Sequence, residues 1–146
     1  MRKLLLATAI LSSSAMAADF SIVIPSVSYH WESRSYTNKE TGLKTEWNET
    51  NKGLGVEYKQ WRFTVLDNSF GDTIGAITHQ KPLYEHVTLS YGLAFGYKNR
   101  STDKMVIEHV TPVAALEFDY QITNKLDVVF GAHYAGFFTL HFKCDF

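Results

Sequence analysis

The six histidines, His30, His79, His86, His109, His133 and His141, are the side chains best suited to chemistry near neutral pH. An imidazole can act as a general base, a proton shuttle or a metal ligand. Their spacing gathers no zinc-like ligand set on one face, so no metal is expected. His30 stands two positions after Ser28 and four after Ser26, with Glu32 two beyond. In an extended segment these four share one side. There His30 is either a hydrogen-bonded interior histidine or a general base, because only the geometry of a partner defines a base. His133 and His141 can face Asp127, Asp145 or Glu117, which makes a polar plug in place of an apolar core. Asp67, Asn68 and Ser69 open a short polar loop, where Asn and Ser have value as turn formers. Cys144 is the only cysteine, which excludes a disulfide within the chain, and it reads as a small apolar filler. No glycine-rich phosphate loop, nucleotide motif or hydrolase signature is present, so no cofactor is expected.

The elements that position these residues are strands. Val87, Leu89, Tyr91, Leu93, Phe95 and Tyr97 alternate with Thr88, Ser90, Gly92, Ala94, Gly96 and Lys98. A period of two over that length exceeds an ordinary globular strand and suits one that crosses a bilayer at a tilt. The same alternation runs through residues 110–120, 126–134 and 138–146. Shorter versions fall at 54–58, 61–65 and 74–78. In the first strand Phe20, Ile22 and Ile24 hold one phase, and Val27, Tyr29 and Trp31 resume in the other after Pro25. A phase slip beside a proline predicts a bulge or an unpaired ladder position. Eight strands result. Residues 59–60, 81–86 and 121–125 read as compact turns. Residues 33–52, 67–73 and 98–104 read as polar loops, the first of them long.

The amino terminus has three parts in the order of a secretory signal: Arg2 and Lys3, an apolar run over 4–11, and Ala15-Met16-Ala17 after three serines. Residues 1–17 are therefore expected to be a cleaved signal peptide, and 18–146 a single barrel domain. The 146 residues carry 45% hydrophobic and 20% charged side chains, and that apolar share excludes a disordered chain. The net charge of −1 leaves no basic field for nucleic acid.

Two architectures bury such strands. A soluble barrel turns its apolar face inward, and an outer-membrane barrel turns it to lipid and fills its lumen with polar groups. Tyr91, Tyr97, Tyr120, Tyr134 and Trp61 stand at or near strand ends on the apolar face, where membrane girdles sit. Phe146 closes the last alternating strand, and such a terminal aromatic resembles the signal read by the barrel-assembly machinery. The expected fold is thus all-β: an eight-stranded antiparallel outer-membrane β-barrel, monomeric, in the outer membrane of a Gram-negative envelope. A soluble periplasmic carrier is the competing architecture. Eight strands leave a lumen just wide enough for side chains or one small ligand, which argues against an open pore.

The segment Ile24-Pro25-Ser26-Val27-Ser28-Tyr29-His30 resembles the opening strand of the lipid A palmitoyltransferase family. Trp47-Asn48-Glu49 with Gly53-Leu54-Gly55, then Leu66-Asp67-Asn68-Ser69-Phe70, are similar to later family segments, and Phe142-Lys143-Cys144-Asp145-Phe146 resembles its ending. The likeness is densest over residues 22–70. It implies an outer-membrane enzyme that moves an acyl chain from a phospholipid to lipid A. Acyl transfer needs an activated nucleophile and a stabilised oxyanion. The resemblance assigns His30 and Ser69 to the family's His and Ser. Asn68 stands where the family has Asp, and an amide cannot act as a base. Asp67 can replace that carboxylate only if the loop turns it inward. The family's leading amphipathic helix has no counterpart, since Ala18 and Asp19 lead straight into strand one. With the amino terminus in the periplasm, strands one and three both finish on the outer side, near His30 and near 67–69.

Phospholipid and lipopolysaccharide are the partners this implies. Arg34, Lys39, Lys44, Lys52, Lys98, Arg100 and Lys104 can pair lipopolysaccharide phosphates. Glu32, Glu40, Glu46 and Glu49 are interleaved with them, which also fits a plain mixed-charge surface. The Asn68 departure points to a competing function: a non-catalytic barrel that binds lipid, adheres, or masks a phage receptor.

Overall fold

A computed structural model describes residues 20–31, 35–38, 41–97 and 109–146. The signal segment lies outside them, as do Glu32, Arg34, Lys39, Glu40, Lys98, Arg100 and Lys104. Among the described residues the alternating segments become the strands β1 (Phe20–His30), β4 (Gly53–Tyr58), β5 (Trp61–Asp67), β6 (Thr73–Tyr84), β7 (Val87–Phe95), β8 (Val110–Thr123), β9 (Leu126–His133) and β10 (Phe137–Asp145). Each pairs antiparallel with its neighbour, and β1 joins both β10 and β4. The sheet therefore closes in the order β1-β10-β9-β8-β7-β6-β5-β4. Two short strands within the long loop, β2 (Ser35–Thr37) and β3 (Lys44–Glu46), form a separate two-stranded sheet.

The expected bulge is present. The β1–β10 register shifts between Pro25 and Val27, leaving Ser26 as the extra residue. It lets Val23 and Ser28 both be buried, while Ile24, Val27 and Tyr29 stay outside. At β6 the outcome differs from expectation. The segment 81–86 does not form one compact turn: β6 continues to Tyr84, and only Glu85 and His86 turn. Pro82 is carried at a second register shift, between Pro82 and Tyr84, where a missing N–H costs the ladder little. Likewise β8 runs through to Thr123, leaving residues 124–125 as the turn.

The barrel has unlike ends. Two-residue turns at 59–60, 85–86 and 124–125 define a turn end, where β1 starts and β10 finishes. The opposite, loop end carries the connections between β1 and β4, β5 and β6, and β7 and β8, with a short turn at 134–136. At that end β4 is too short to reach the top of β1, and residues 49–52 complete the wall. Ser28 N donates to Glu49 O at 2.8 Å, Asn51 N to Ser26 O at 3.0 Å, and Asp67 N to Lys52 O at 2.8 Å.

The two faces are inverted relative to a water-soluble core. Ser21, Ser28, Arg62, Gln80, Ser90, Glu117, Asp127 and His141 are buried inside the ring, with a few small or branched apolar residues such as Val23, Ala94 and Ala115. Ile24, Leu54, Phe63, Val65, Leu93, Phe118 and Phe130 are exposed outside it. Polar residues are rarely buried unless paired, and here pairing supplies the interior.

Candidate functional site

Strand parity decides where each candidate side chain goes. On β5, Trp61, Phe63 and Val65 face outward, and Arg62 faces inward. Asp67 shares the outward phase. Its carboxylate accepts a 2.8 Å hydrogen bond from Thr73 Oγ1, its cross-strand partner. Asn68 falls on the inward phase and is only 3% exposed. Its Oδ1 accepts from Phe70 N and Asp72 N, both at 2.9 Å. These bonds fix the amide orientation and make Asn68 the organiser of the turn before β6. The Asn68 carbonyl accepts from Asn48 Nδ2 at 3.2 Å.

Ser69 and His30 come to the same end of the barrel without touching. The Ser69 and Ser28 hydroxyls lie 3.3 Å apart, and Ser69 O accepts from Asn48 N at 2.8 Å. His30 is two residues beyond Ser28, or about 7 Å further along the strand. Its ring stacks on Trp47 at 4.3 Å and lies 5.3 Å from Phe137. His30 Nδ1 has no hydrogen-bond partner among the described residues. The Trp47-Asn48 dipeptide thus connects the two, with its indole on His30 and its backbone on Ser69. Trp47 also meets Tyr36 and Phe70 at 4.7 and 5.0 Å. These rings pack together at the loop end, and Tyr97 stands 6.1 Å from Phe70. Burial pushes the Tyr97 phenol up to about 12, with Tyr134 adding to the shift.

Below this mouth lies a lumen cavity of about 160 Å³. Asn68 and Ser69 line it, whereas His30 and Asp67 do not. Its wall also includes Val27 and Leu140. These two are cross-strand partners in the outward phase, beside the Ser26 bulge, so the cavity reaches towards the outer surface there.

The floor is a charged layer. Arg62 Nη1 and Nη2 donate to the two Glu117 carboxylate oxygens at 2.7 and 3.0 Å, a bidentate pair across the lumen. Arg62 Nε donates to Glu57 Oε2 at 2.9 Å. His141 Nε2 lies 4.0 Å from Glu117, consistent with the expected plug, whereas His133 Nε2 bonds Thr139 Oγ1 at 3.0 Å instead. Arg62 was not among the candidates from sequence. The available signal was a lone arginine in the inward phase between Trp61 and Phe63. Among the described residues no group of three His, Cys, Asp or Glu side chains could hold a metal ion.

No family model, curated protein or solved structure matches the chain.

Proposed function

We propose that residues 18–146 form an outer-membrane barrel whose loop-end mouth transfers an acyl chain from phospholipid to lipid A. The membrane reading is supported by the inverted faces. Apolar surface left in water forgoes about 25 cal/mol per Å², and lipid contact removes that cost from the whole outer ring. The closed hydrogen-bonded sheet leaves no backbone edge for lipid to meet. Short turns on one end and long loops on the other fit a periplasmic turn end and an external loop end.

The acyl-transfer reading rests on the cavity that holds Ser69 and reaches Val27 and Leu140 on the lipid-facing side. A chain entering beside the bulge would bring its ester to the Ser69 hydroxyl. His30 would accept the hydroxyl proton, Ser69 Oγ would attack the ester carbonyl, and the lysophospholipid would leave with that proton. A lipid A hydroxyl would then attack the Ser69 ester, the bond to Ser69 Oγ would break, and the hydroxyl proton would pass through His30 to restore the Ser69 hydroxyl. For this His30 must turn off Trp47 towards Ser69, and catalytic hydrogen bonds often tighten only once substrate is bound.

A second reading, a non-catalytic barrel, is favoured by the fate of the acidic position. Asp67 faces outward and Asn68 Oδ1 is engaged by two backbone amides, so neither orients His30. Mass spectrometry of lipid A from expressing cells separates the two. An added acyl mass that disappears in both His30→Ala and Ser69→Ala supports transfer. No added mass in the wild type leaves the non-catalytic barrel. Heat-modifiable migration in unboiled gels tests the membrane barrel itself, and an unshifted band argues against it.

A further inference from the structure

The lumen holds a second cavity, of about 230 Å³, at the turn end. It is lined by charged groups that include Glu57, Asp119 and Lys143. Two residues line both this chamber and the one above it: Arg62 and Glu117. The upper chamber is lined by β5 side chains from Arg62 onward and by Ser69 beyond the strand's end. That is most of the strand, at about 3.3 Å per residue. The cross-lumen ion pair therefore marks the level at which the two chambers meet, and together they run most of the barrel's length.

We infer that the Arg62–Glu117 pair is a gate and that the barrel passes small inorganic ions when the pair parts. This rests on the membrane reading above but not on acyl transfer. Arg62 keeps a charged neighbour on its own side of the barrel. Arg62 retains Glu57 on the adjoining strand β4 at 2.9 Å. On the Glu117 side His141 Nε2 lies 4.0 Å away and makes no hydrogen bond. Parting a buried pair is prohibitive when it strands a bare charge, and Glu57 reduces that penalty for Arg62. At this level Thr64, Thr78 and Ser90 line the upper chamber, and the buried Gln80, whose Nε2 donates to the Thr78 and Ser90 hydroxyls, lines the lower one. Two arrangements of one pair, closed across the lumen or drawn back to its walls, meet the requirement for a two-state element.

Planar-bilayer recording of the purified full-length mature barrel in potassium chloride tests the gate. Heat-modifiable migration confirms that each variant is folded. Wild type should open rarely. Glu117→Gln keeps the shape and removes the attraction, so its open population should rise about tenfold or more, the effect of losing a charge-assisted contact. The charge swap Arg62→Glu with Glu117→Arg should return the rare openings of wild type. Folded Glu117→Gln barrels as silent as wild type would overturn the gate, whatever lipid A analysis shows. Equal conductance in Glu117→Gln and the swap would overturn it too, because a merely loosened barrel leaks irrespective of charge pairing. Failure of the wild-type chain to insert would overturn this inference and the membrane reading together, whereas silent insertion would overturn this one alone.

Discussion

At the scale of single residues, the proposed acyl-transfer site turns on which of two adjacent positions carries the carboxylate. Parity along β5 sends Asp67 outward and Asn68 inward, so the acid present in the chain is on the wrong side of the wall. Asn68→Asp would place a carboxylate inward and still accept the two backbone N–H groups now held by Asn68 Oδ1. Its folded yield should match wild type, and the added acyl mass on lipid A should increase. A fall in transfer with folding intact would remove position 68 from the mechanism. Asn68→Ala leaves those two amides unpaired and should cost about 2 kcal/mol of stability, read from urea unfolding in lipid vesicles. Tyr97 gives a pH test of the same mouth. Its phenol ionises only near about 12 in the folded chain, against about 10 when free. Above pH 10 the unfolded chain releases the proton first, so stability falls as pH rises through that window. Tyr97→Phe should abolish the last phenolate step in an absorbance titration and flatten the alkaline loss of stability.

At the scale of elements, the alternation in residues 87–98, 110–120, 126–134 and 138–146 placed four strands directly, because each side of a barrel wall has one solvent and the pleat reports it. Pro25 marked the β1 bulge for the same reason. What was hidden has physical causes. The strands β2 and β3 are three residues each and polar, too short to show a period. Pro82 and Lys81 look like turn residues, and only the second bulge lets β6 absorb them. At the proposed site, the resemblance singled out His30 and Ser69, but their separation depends on how 47–52 lies between β1 and β5, which no local pattern encodes. Two element-level tests follow from packing. A Cβ on Gly92 would sit 2.0 Å from Ile77 O, whereas one on Gly75 meets nothing within 4 Å. Gly92→Ala should lose about 1–3 kcal/mol and Gly75→Ala nearly nothing, measured by urea midpoints. Deleting Ser26 restores unbroken alternation through β1 and closes the cavity's approach to Val27. The barrel should still shift on heating while acyl transfer stops, and undiminished transfer would show that lipid does not enter there.

At the scale of the whole molecule, ring closure brings the described ends together at one seam. Phe146 N donates to Phe20 O at 3.1 Å, and their rings lie 6.1 Å apart. Phe146 therefore has a local role that competes with the proposed recognition by the assembly machinery, and the two separate by where folding takes place. The ring contact is worth about 0.5–1.5 kcal/mol, while the β1–β10 ladder around it stays paired from Ser21 to His30. Phe146→Ala barrels refolded into detergent should consequently show the same heat shift and almost the same yield as wild type. In cells the same substitution should lower the amount in the outer membrane several-fold, with unassembled chain accumulating in the periplasm. Equal cellular levels would remove the assembly partner. Parallel losses in detergent and in cells would reduce Phe146 to a seam residue, because an assembly signal has no means of acting where the machinery is absent.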